Sequence, residues 1–173
     1  MNLVELTYPS VFSDYKTIEA VLVCDADNDG LADIIALNKN ADKVYYWKNS
    51  GGGSFAVAVF ASFEGIGEMK DGYCVDMDGD GDFDLIIADK TNGIKIHENL
   101  GSPQADSGGT PFSPTPINIY DSSSERLRVA DVDDDGMVDI VYATKDSPDD
   151  AWISFNLGLC PAGKYMVRSV VKM

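Results

Sequence analysis

A nine-residue acidic motif occurs three times in the chain, and it limits the possible folds more than any other feature of the sequence. Each copy has aspartate at positions 1, 3, 5 and 9 and glycine at position 6, and the copies are residues 25–33, 76–84 and 131–139. Acidic side chains at alternating positions converge when the backbone curls around a point, and glycine permits the sharp turn that this requires. The motif therefore predicts three tight loops, each of which gathers its carboxylates around one centre.

The chemistry of these loops indicates Ca²⁺ as the ligand. The loops offer oxygen atoms alone, without the cysteine or histidine side chains that softer metals prefer. We expect three calcium sites, in which the aspartate at position 9 supplies the last carboxylate. The predicted side-chain ligands are Asp25, Asp27, Asp29 and Asp33; Asp76, Asp78, Asp80 and Asp84; and Asp131, Asp133, Asp135 and Asp139.

The residues around each loop predict strands, not the helices of an EF-hand. An EF-hand has a bidentate glutamate at position 12 and a helix after it, but position 12 here is Ala36, Ile87 or Tyr142. Short apolar runs rich in β-branched residues, typical of buried strands, precede and follow the loops. They are residues 20–23 and 34–37, 73–75 and 85–88, and 127–130 and 140–143. Each loop is therefore expected to join the two strands of a hairpin.

A longer repeat contains each hairpin. The first aspartate recurs after 51 and then 55 residues, and an Asn-x-Gly turn signal follows it by 24, 23 and 25 residues, at Asn49, Asn99 and Asn156. Apolar runs predict third strands at 44–47, 94–97 and 151–155 and fourth strands at 55–60, 117–120 and 165–171. Four antiparallel strands in about 50 residues match one blade of a β-propeller. The sequence thus predicts a single all-β domain over residues 1–173, with three four-stranded blades at about 18–64, 68–121 and 124–173.

The motif, the apolar strand after it and the Asn-x-Gly turn together resemble the FG-GAP or VCBS-type repeat, which builds the β-propellers of integrin α subunits. The resemblance covers the chain from Ile18 to its end. It implies that the backbone carbonyl at position 7 of each loop is a further calcium ligand. The residues at this position are Leu31, Asp82 and Met137. It also implies a calcium-binding module that serves in adhesion outside the cell.

The number of blades predicts an association. A closed propeller typically has four or more blades, and open blade faces and strand edges invite pairing. We expect either a homo-oligomer, a dimer that closes six blades, or a fragment of a larger propeller. Residues 1–12, with the strand-like stretch 3–6, are predicted to form an extra outer strand that completes a blade of a neighbouring copy.

Charge and hydropathy exclude some partners. The formal net charge of −16 argues against nucleic acid and anionic membrane surfaces. No apolar run approaches the ~20 residues that span a bilayer, so membrane insertion is not expected. The N-terminus lacks the basic and apolar regions of a signal peptide, so the chain is expected either to avoid that export route or to be part of a longer protein. A protein or a glycan remains as the partner, without a sequence feature that chooses between them.

The other candidates for chemistry receive simple interpretations. The three cysteines do not form a disulfide framework, and Cys24 and Cys74 are expected to be buried free thiols. His97 is expected to be a packed or surface histidine and not a general base. Residues 101–116 hold four of the seven prolines and are predicted to form an exposed insertion in the second blade.

These observations favour a binding or adhesion module, not an enzyme, in which Ca²⁺ is structural. Open loops of this kind resemble extracellular modules, which bind Ca²⁺ at about 10⁻⁴–10⁻³ M, so an extracellular or cell-surface location is predicted. The alternative is a lectin-like or polysaccharide-degrading propeller domain. A structural spacer with no ligand besides Ca²⁺ is a third possibility.

Overall fold

The structure is a computed structural model that describes residues 17–39, 43–56, 59–101, 109–144, 150–159 and 165–172. These residues form three sheets, each of four antiparallel strands that pair in chain order, and the predicted fold class is confirmed. Blade 1 contains β1 (Ile18–Cys24), β2 (Asp33–Asn38), β3 (Lys43–Trp47) and β4 (Val59–Ser62). Blade 2 contains β5 (Met69–Val75), β6 (Asp84–Asp89), β7 (Gly93–His97) and β8 (Ile117–Tyr120). Blade 3 contains β9 (Ser124–Ala130), β10 (Asp139–Thr144), β11 (Asp150–Leu159) and β12 (Tyr165–Lys172).

Each acidic loop connects the first two strands of its blade, and strand pairing continues to both ends of the loop. The last pairs are Cys24 with Asp33, Val75 with Asp84 and Ala130 with Asp139. The aspartate at position 9 therefore begins the second strand in all three blades. The three loops consequently occupy the same place in their blades, at the same end as the Asn-x-Gly turns.

The second strands carry much of the core, and β6 is the most completely buried because blades 1 and 3 cover its two faces. All six residues of β6 are buried, and β2 is buried except at Ile34. One apolar core, which includes Leu37, Met69 and Ile87, joins blades 1 and 2, and a second, which includes Ile86 and Tyr142, joins blades 2 and 3. We call each contact between adjacent blades a blade junction. Packing on both faces thus explains the uninterrupted apolar sequence of β6, whereas Ala143 of β10 is exposed on the face turned away from blade 2.

The first strands meet at the junctions, where β1 lies beside β5 and β5 lies beside β9. A disulfide joins Cys24 at the end of β1 to Cys74 on β5, with 6.2 Å between their Cα atoms. The expectation of two free thiols is therefore wrong for this pair. The bridge connects blade 1 to blade 2 between the two strands that are packed against each other.

The insertion predicted over residues 101–116, after β7, is not exposed in its C-terminal part. Thr110 and Phe112 are fully buried, and Phe112 belongs to the core between blades 1 and 2 and forms a β-bridge with Asn99. The expectation of an exposed loop is wrong there, because an aromatic side chain beside the Asn-x-Gly turn fills the junction. In blade 1, Phe55 forms the corresponding bridge with Asn49.

Several predictions fall elsewhere in the chain. The outer strand expected within residues 1–12, residues 102–108 of the insertion and Cys160 lie outside the described residues. Within the part that is described, there is no helix of the length and apolarity needed to cross a membrane.

Candidate metal centres

The aspartate at position 1 shapes each loop before any metal is considered. Its carboxylate accepts a hydrogen bond from the backbone N–H of the position 6 glycine, which has a positive φ in all three copies. The pairs are Gly30 N to Asp25 Oδ2 at 2.8 Å, Gly81 N to Asp76 Oδ2 at 3.0 Å and Gly136 N to Asp131 Oδ2 at 2.9 Å. The identical bond in three copies shows that the turn follows from the motif itself, since glycine adopts this conformation without steric cost.

The aspartate at position 5 holds the next part of the turn. Its Oδ1 atom accepts a hydrogen bond from the backbone N–H of position 7, with the same 2.9 Å separation in all three loops. The position 7 residues that the resemblance implicates, Leu31, Asp82 and Met137, are therefore fixed through their N–H groups. The side chain of Asp82 also contacts the amide of Asn28, which links loop 2 to loop 1.

The aspartate at position 9 connects its loop to the third strand. One oxygen accepts the N–H of position 2, and the other accepts the N–H of the asparagine in the Asn-x-Gly turn. For Asp33 the donors are Ala26 at 3.1 Å and Asn49 at 2.7 Å. Met77 and Asn99 donate equivalent bonds to Asp84, and Val132 and Asn156 donate them to Asp139. These three carboxylates are buried, and desolvation raises the pKa of Asp33 although its hydrogen bonds oppose the shift.

The structure brings together three of the four predicted carboxylates in each loop. Ligand oxygens within 4.8 Å of one another come from Asp25, Asp27 and Asp29; from Asp76, Asp78 and Asp80; and from Asp131, Asp133 and Asp139. Asp33 and Asp84 stand outside their groups, whereas Asp139, which makes the same two backbone bonds, belongs to the third group in place of Asp135. All twelve predicted side chains thus lie in or at the end of the three loops. The groups of loops 1 and 2 contain positions 1, 3 and 5, and the group of loop 3 contains positions 1, 3 and 9.

The electrostatics of the loops fit a cation. Desolvation, with smaller contributions from neighbouring aspartates, raises the pKa of Asp78 and of Asp133. The smaller part of each shift comes from repulsion between ionised carboxylates that lie close together. In loop 1, Asp27 Oδ1 is buried and has no hydrogen-bond partner among the described residues. An orphaned carboxylate oxygen beside two further carboxylates is an all-oxygen donor set of the kind that hard cations prefer.

The Asn-x-Gly asparagines have a role that the sequence did not reveal. Each accepts the glycine N–H through its own Oδ1 atom, as a turn residue should. In addition, Asn99 Nδ2 donates to the Ala26 carbonyl of loop 1 at 2.8 Å, and Asn156 Nδ2 donates to the Met77 carbonyl of loop 2 at 2.6 Å. Blades 2 and 3 therefore each bind the loop of the preceding blade through one amide. The sequence feature that could have indicated this role is the nearly constant distance between each asparagine and the first aspartate of its blade.

The histidine is part of the packing. His97 is fully buried, its ring is stacked on Phe63 with 4.0 Å between centroids, and Nδ1 lies 2.8 Å from the Ser113 carbonyl oxygen. Burial lowers the pKa of His97 to about 4. The side chain is therefore neutral at physiological pH, and it lies where blades 1 and 2 meet.

Comparison with known families agrees with the repeat that the geometry displays. The model of the FG-GAP-like repeat matches residues 25–87 and 76–142, which together make up more than half of the chain. Each match begins at the first aspartate of one loop and ends in the second strand of the next blade, and the two overlap on loop 2. No curated protein and no solved structure gives a significant match.

Proposed function

The chain belongs to the FG-GAP-like repeat family, and on this basis we propose that it is a calcium-stabilised propeller module for binding or adhesion outside the cell. The observation that carries the calcium assignment is the recurrence of three convergent carboxylates in each of three loops of the same shape. The orphaned oxygen of Asp27 supports it. The residues that would hold the ions are those of the three groups: Asp25, Asp27 and Asp29; Asp76, Asp78 and Asp80; and Asp131, Asp133 and Asp139.

The proposed role of the ion is structural. All side-chain ligands of a site come from one hairpin, so the ion neutralises carboxylates that the fold has already gathered. The unfolded chain cannot hold this geometry, and binding is therefore linked to folding. At free Ca²⁺ about 100-fold above Kd, each site adds roughly 2.7 kcal/mol to the free energy of unfolding.

The disulfide supports the proposed location. Disulfides form and persist mainly in oxidising surroundings such as the cell exterior, and the Cys24–Cys74 bridge joins two neighbouring blades. Weak loops of this open type would also be filled only where Ca²⁺ is abundant. Both arguments point to an extracellular or surface setting.

The junctions support a proposal on assembly. The position 2 side chain is buried in copies 1 and 2, where Ala26 is 1% and Met77 2% exposed, but Val132 of loop 3 is 43% exposed. On the opposite face of the array, Val21 and Val23 of β1 are also exposed. We propose that these faces receive a further blade of the same kind, which in a solution of this chain alone comes from a second copy.

Light scattering with calcium present tests the assembly. A dimer is expected, and Val132→Asp should shift it toward the monomer because it places a charge in the new junction. A monodisperse wild-type monomer at high concentration would refute self-association and leave the calcium proposal unaffected.

Two variants of loop 3 test the calcium sites. Asp133→Asn removes a proposed ligand, whereas Asp134→Asn removes the same charge from position 4, where asparagine tolerates the positive φ of 59°. Calorimetric titration should give three equivalents of Ca²⁺ for the wild type and for Asp134→Asn, and two for Asp133→Asn. Equal stoichiometry in the two variants would contradict the ligand assignment.

Chelation tests the structural role. Excess chelator should lower the melting temperature sharply, and Mg²⁺ should restore it poorly because it demands tighter octahedral coordination. Overlapping melting curves with Ca²⁺ and with chelator would refute the proposal.

A glycan array and a screen for hydrolase and lyase activity, both with calcium, test the binding role. Any turnover would overturn the assignment as a non-enzymatic module.

A further inference from the structure

The residue that precedes the Asn-x-Gly turn differs among the three blades. It is Lys48 in blade 1, Glu98 in blade 2 and Phe155 in blade 3. The strand register shows that these positions are equivalent. In each blade, the residue just before this position pairs with the residue that follows the position 9 aspartate of the loop. The pairs are Ile34 with Trp47, Leu85 with His97 and Ile140 with Ser154.

In blade 1 this position delivers a cation to the loop. Lys48 Nζ contacts Asp27 Oδ2 and lies 2.7 Å from Asp29 Oδ2. Both carboxylates belong to the group that would hold the metal. The hydrogen bond from Lys48 lowers the pKa of Asp29, and the two aspartates raise the pKa of Lys48. The ammonium group is therefore a tethered counter-ion of loop 1.

In blade 2 the same position carries the opposite charge. The pKa of Glu98 is raised by burial and, to a smaller extent, by Asp78 and Asp80, which belong to the carboxylate group of loop 2. Because Glu98 occupies the register position from which Lys48 reaches loop 1, it adds a carboxylate beside the five aspartates of loop 2, while Phe155 adds no charge to loop 3. This position therefore adds a positive charge to loop 1, a negative charge to loop 2 and no charge to loop 3, in the same direction as the loops' own aspartate counts of four, five and five.

We propose that this position sets the calcium affinity of each site, with Lys48 as an internal competitor that Ca²⁺ must displace from loop 1. The inference rests on the proposed function, since it assumes that the loops bind Ca²⁺. The sites fill in the order loop 2, loop 3, loop 1. Loop 1 also keeps a cation beside its carboxylates when calcium is withdrawn, so it is the loop least disturbed by chelation.

The backbone N–H groups of Gly30, Gly81 and Gly136 report on the sites one at a time. Each is bonded to the position 1 carboxylate of its own loop, so its NMR signal in a calcium titration follows that loop. In the wild type the Gly81 signal should respond at the lowest Ca²⁺ concentration and the Gly30 signal at the highest. Lys48→Met keeps the length of the side chain and removes the charge.

The variants separate the two proposals. Lys48→Met should lower the Gly30 midpoint about tenfold, because a unit charge beside a divalent ion in water-like surroundings has an effect of this order. Glu98→Gln should raise the Gly81 midpoint, and Lys43→Met, at the far end of β3, should change neither. Equal wild-type midpoints, or a Gly30 midpoint unmoved by Lys48→Met, would overturn this inference alone. If no glycine responds to calcium, the proposed function fails as well.

Discussion

Replacement of Asn99 by alanine measures what holds two blades together. The side chain is 3% exposed, and its Nδ2 atom donates to the Ala26 carbonyl of blade 1 at 2.8 Å and to the Phe83 carbonyl of its own blade at 3.0 Å. Its Oδ1 atom accepts the Gly101 N–H at 3.0 Å. Alanine removes these three bonds and leaves buried backbone groups without partners, which costs about 3–4 kcal/mol in the free energy of unfolding.

Asn49 provides the matched control because it makes the same bonds within its own blade. It donates to the Ala32 carbonyl at 2.8 Å and accepts the Gly51 N–H at 2.9 Å, but among the described residues it binds no loop of another blade. Asn49→Ala should cost about 1–2 kcal/mol, since the site is partly exposed and water replaces the lost bonds.

Urea denaturation in saturating calcium, followed by circular dichroism, gives both free energies. The expected difference of about 2 kcal/mol corresponds to a difference of roughly 4–8 °C in the melting temperatures of the two variants. Asn156→Ala, which loses the bond to the Met77 carbonyl, should resemble Asn99→Ala. Equal destabilisation by Asn49→Ala and Asn99→Ala would show that the bonds between blades contribute nothing, and the reasoning would be refuted.

Three further predictions concern the interior. Gly72→Ala should lower stability by about 1–3 kcal/mol, because a methyl group there would lie 2.7 Å from Leu37 Cδ1 and 2.9 Å from the Ile86 carbonyl oxygen; an unchanged urea midpoint would contradict the close approach of the blades. The pKa of His97 is lowered to about 4 from 6.5, so between these values the unfolded chain binds a proton that the folded chain does not. The free energy of unfolding therefore decreases as the pH is lowered, by about 1 kcal/mol from pH 7 to 5.5. His97→Phe should remove this part of the pH dependence, and parallel melting curves of variant and wild type across the window would refute it. Reduction of the Cys24–Cys74 bridge should lower the melting temperature, and Cys24→Ser should make the protein insensitive to the reductant; equal sensitivity would mean that the effect comes from elsewhere.

The strands and loops were predictable because each follows from local chemistry. The aspartates at positions 1 and 5 bind backbone N–H groups only a few residues away, so nine residues suffice to define the turn. The apolar runs of β2, β6 and β10 likewise required no knowledge of neighbouring blades. The ends of strands were less predictable: β11 continues through Asn156 to Leu159, although the turn signal is the same as in the other blades.

The disulfide could not be predicted from equivalence between repeats, for a geometric reason. Cys24 lies one residue before its loop and Cys74 lies two residues before its own, which indicated that the two positions are not related. Side chains alternate between the faces of a strand, and two residues that meet across a junction must lie on opposite faces of their own blades. The difference of one residue is therefore what a bridge between blades requires.

The interactions of Asn99 and Lys48 depend on structure beyond a single loop. The sequence around Asn99 predicts a turn, which is correct locally, and the sequence around Lys48 gives no prediction for that residue. The amide of Asn99 reaches another blade, and the ammonium of Lys48 reaches a loop from the third strand. Such roles become visible only when the blades and strands are placed beside one another.

The asparagine bond between blades has a direction, so the two sides of a blade are different but complementary. At both junctions the amide donor belongs to the later blade and the loop carbonyl to the earlier one. Blade 2 therefore has a hydrogen-bond donor on one side and an acceptor on the other. A duplicated copy of residues 68–121 inserted after blade 2 would find a Met77 carbonyl for its own Asn99 and would offer its own Met77 carbonyl to Asn156. Gene duplication or protein engineering can therefore lengthen such an array one unit at a time and keep this bond at every junction.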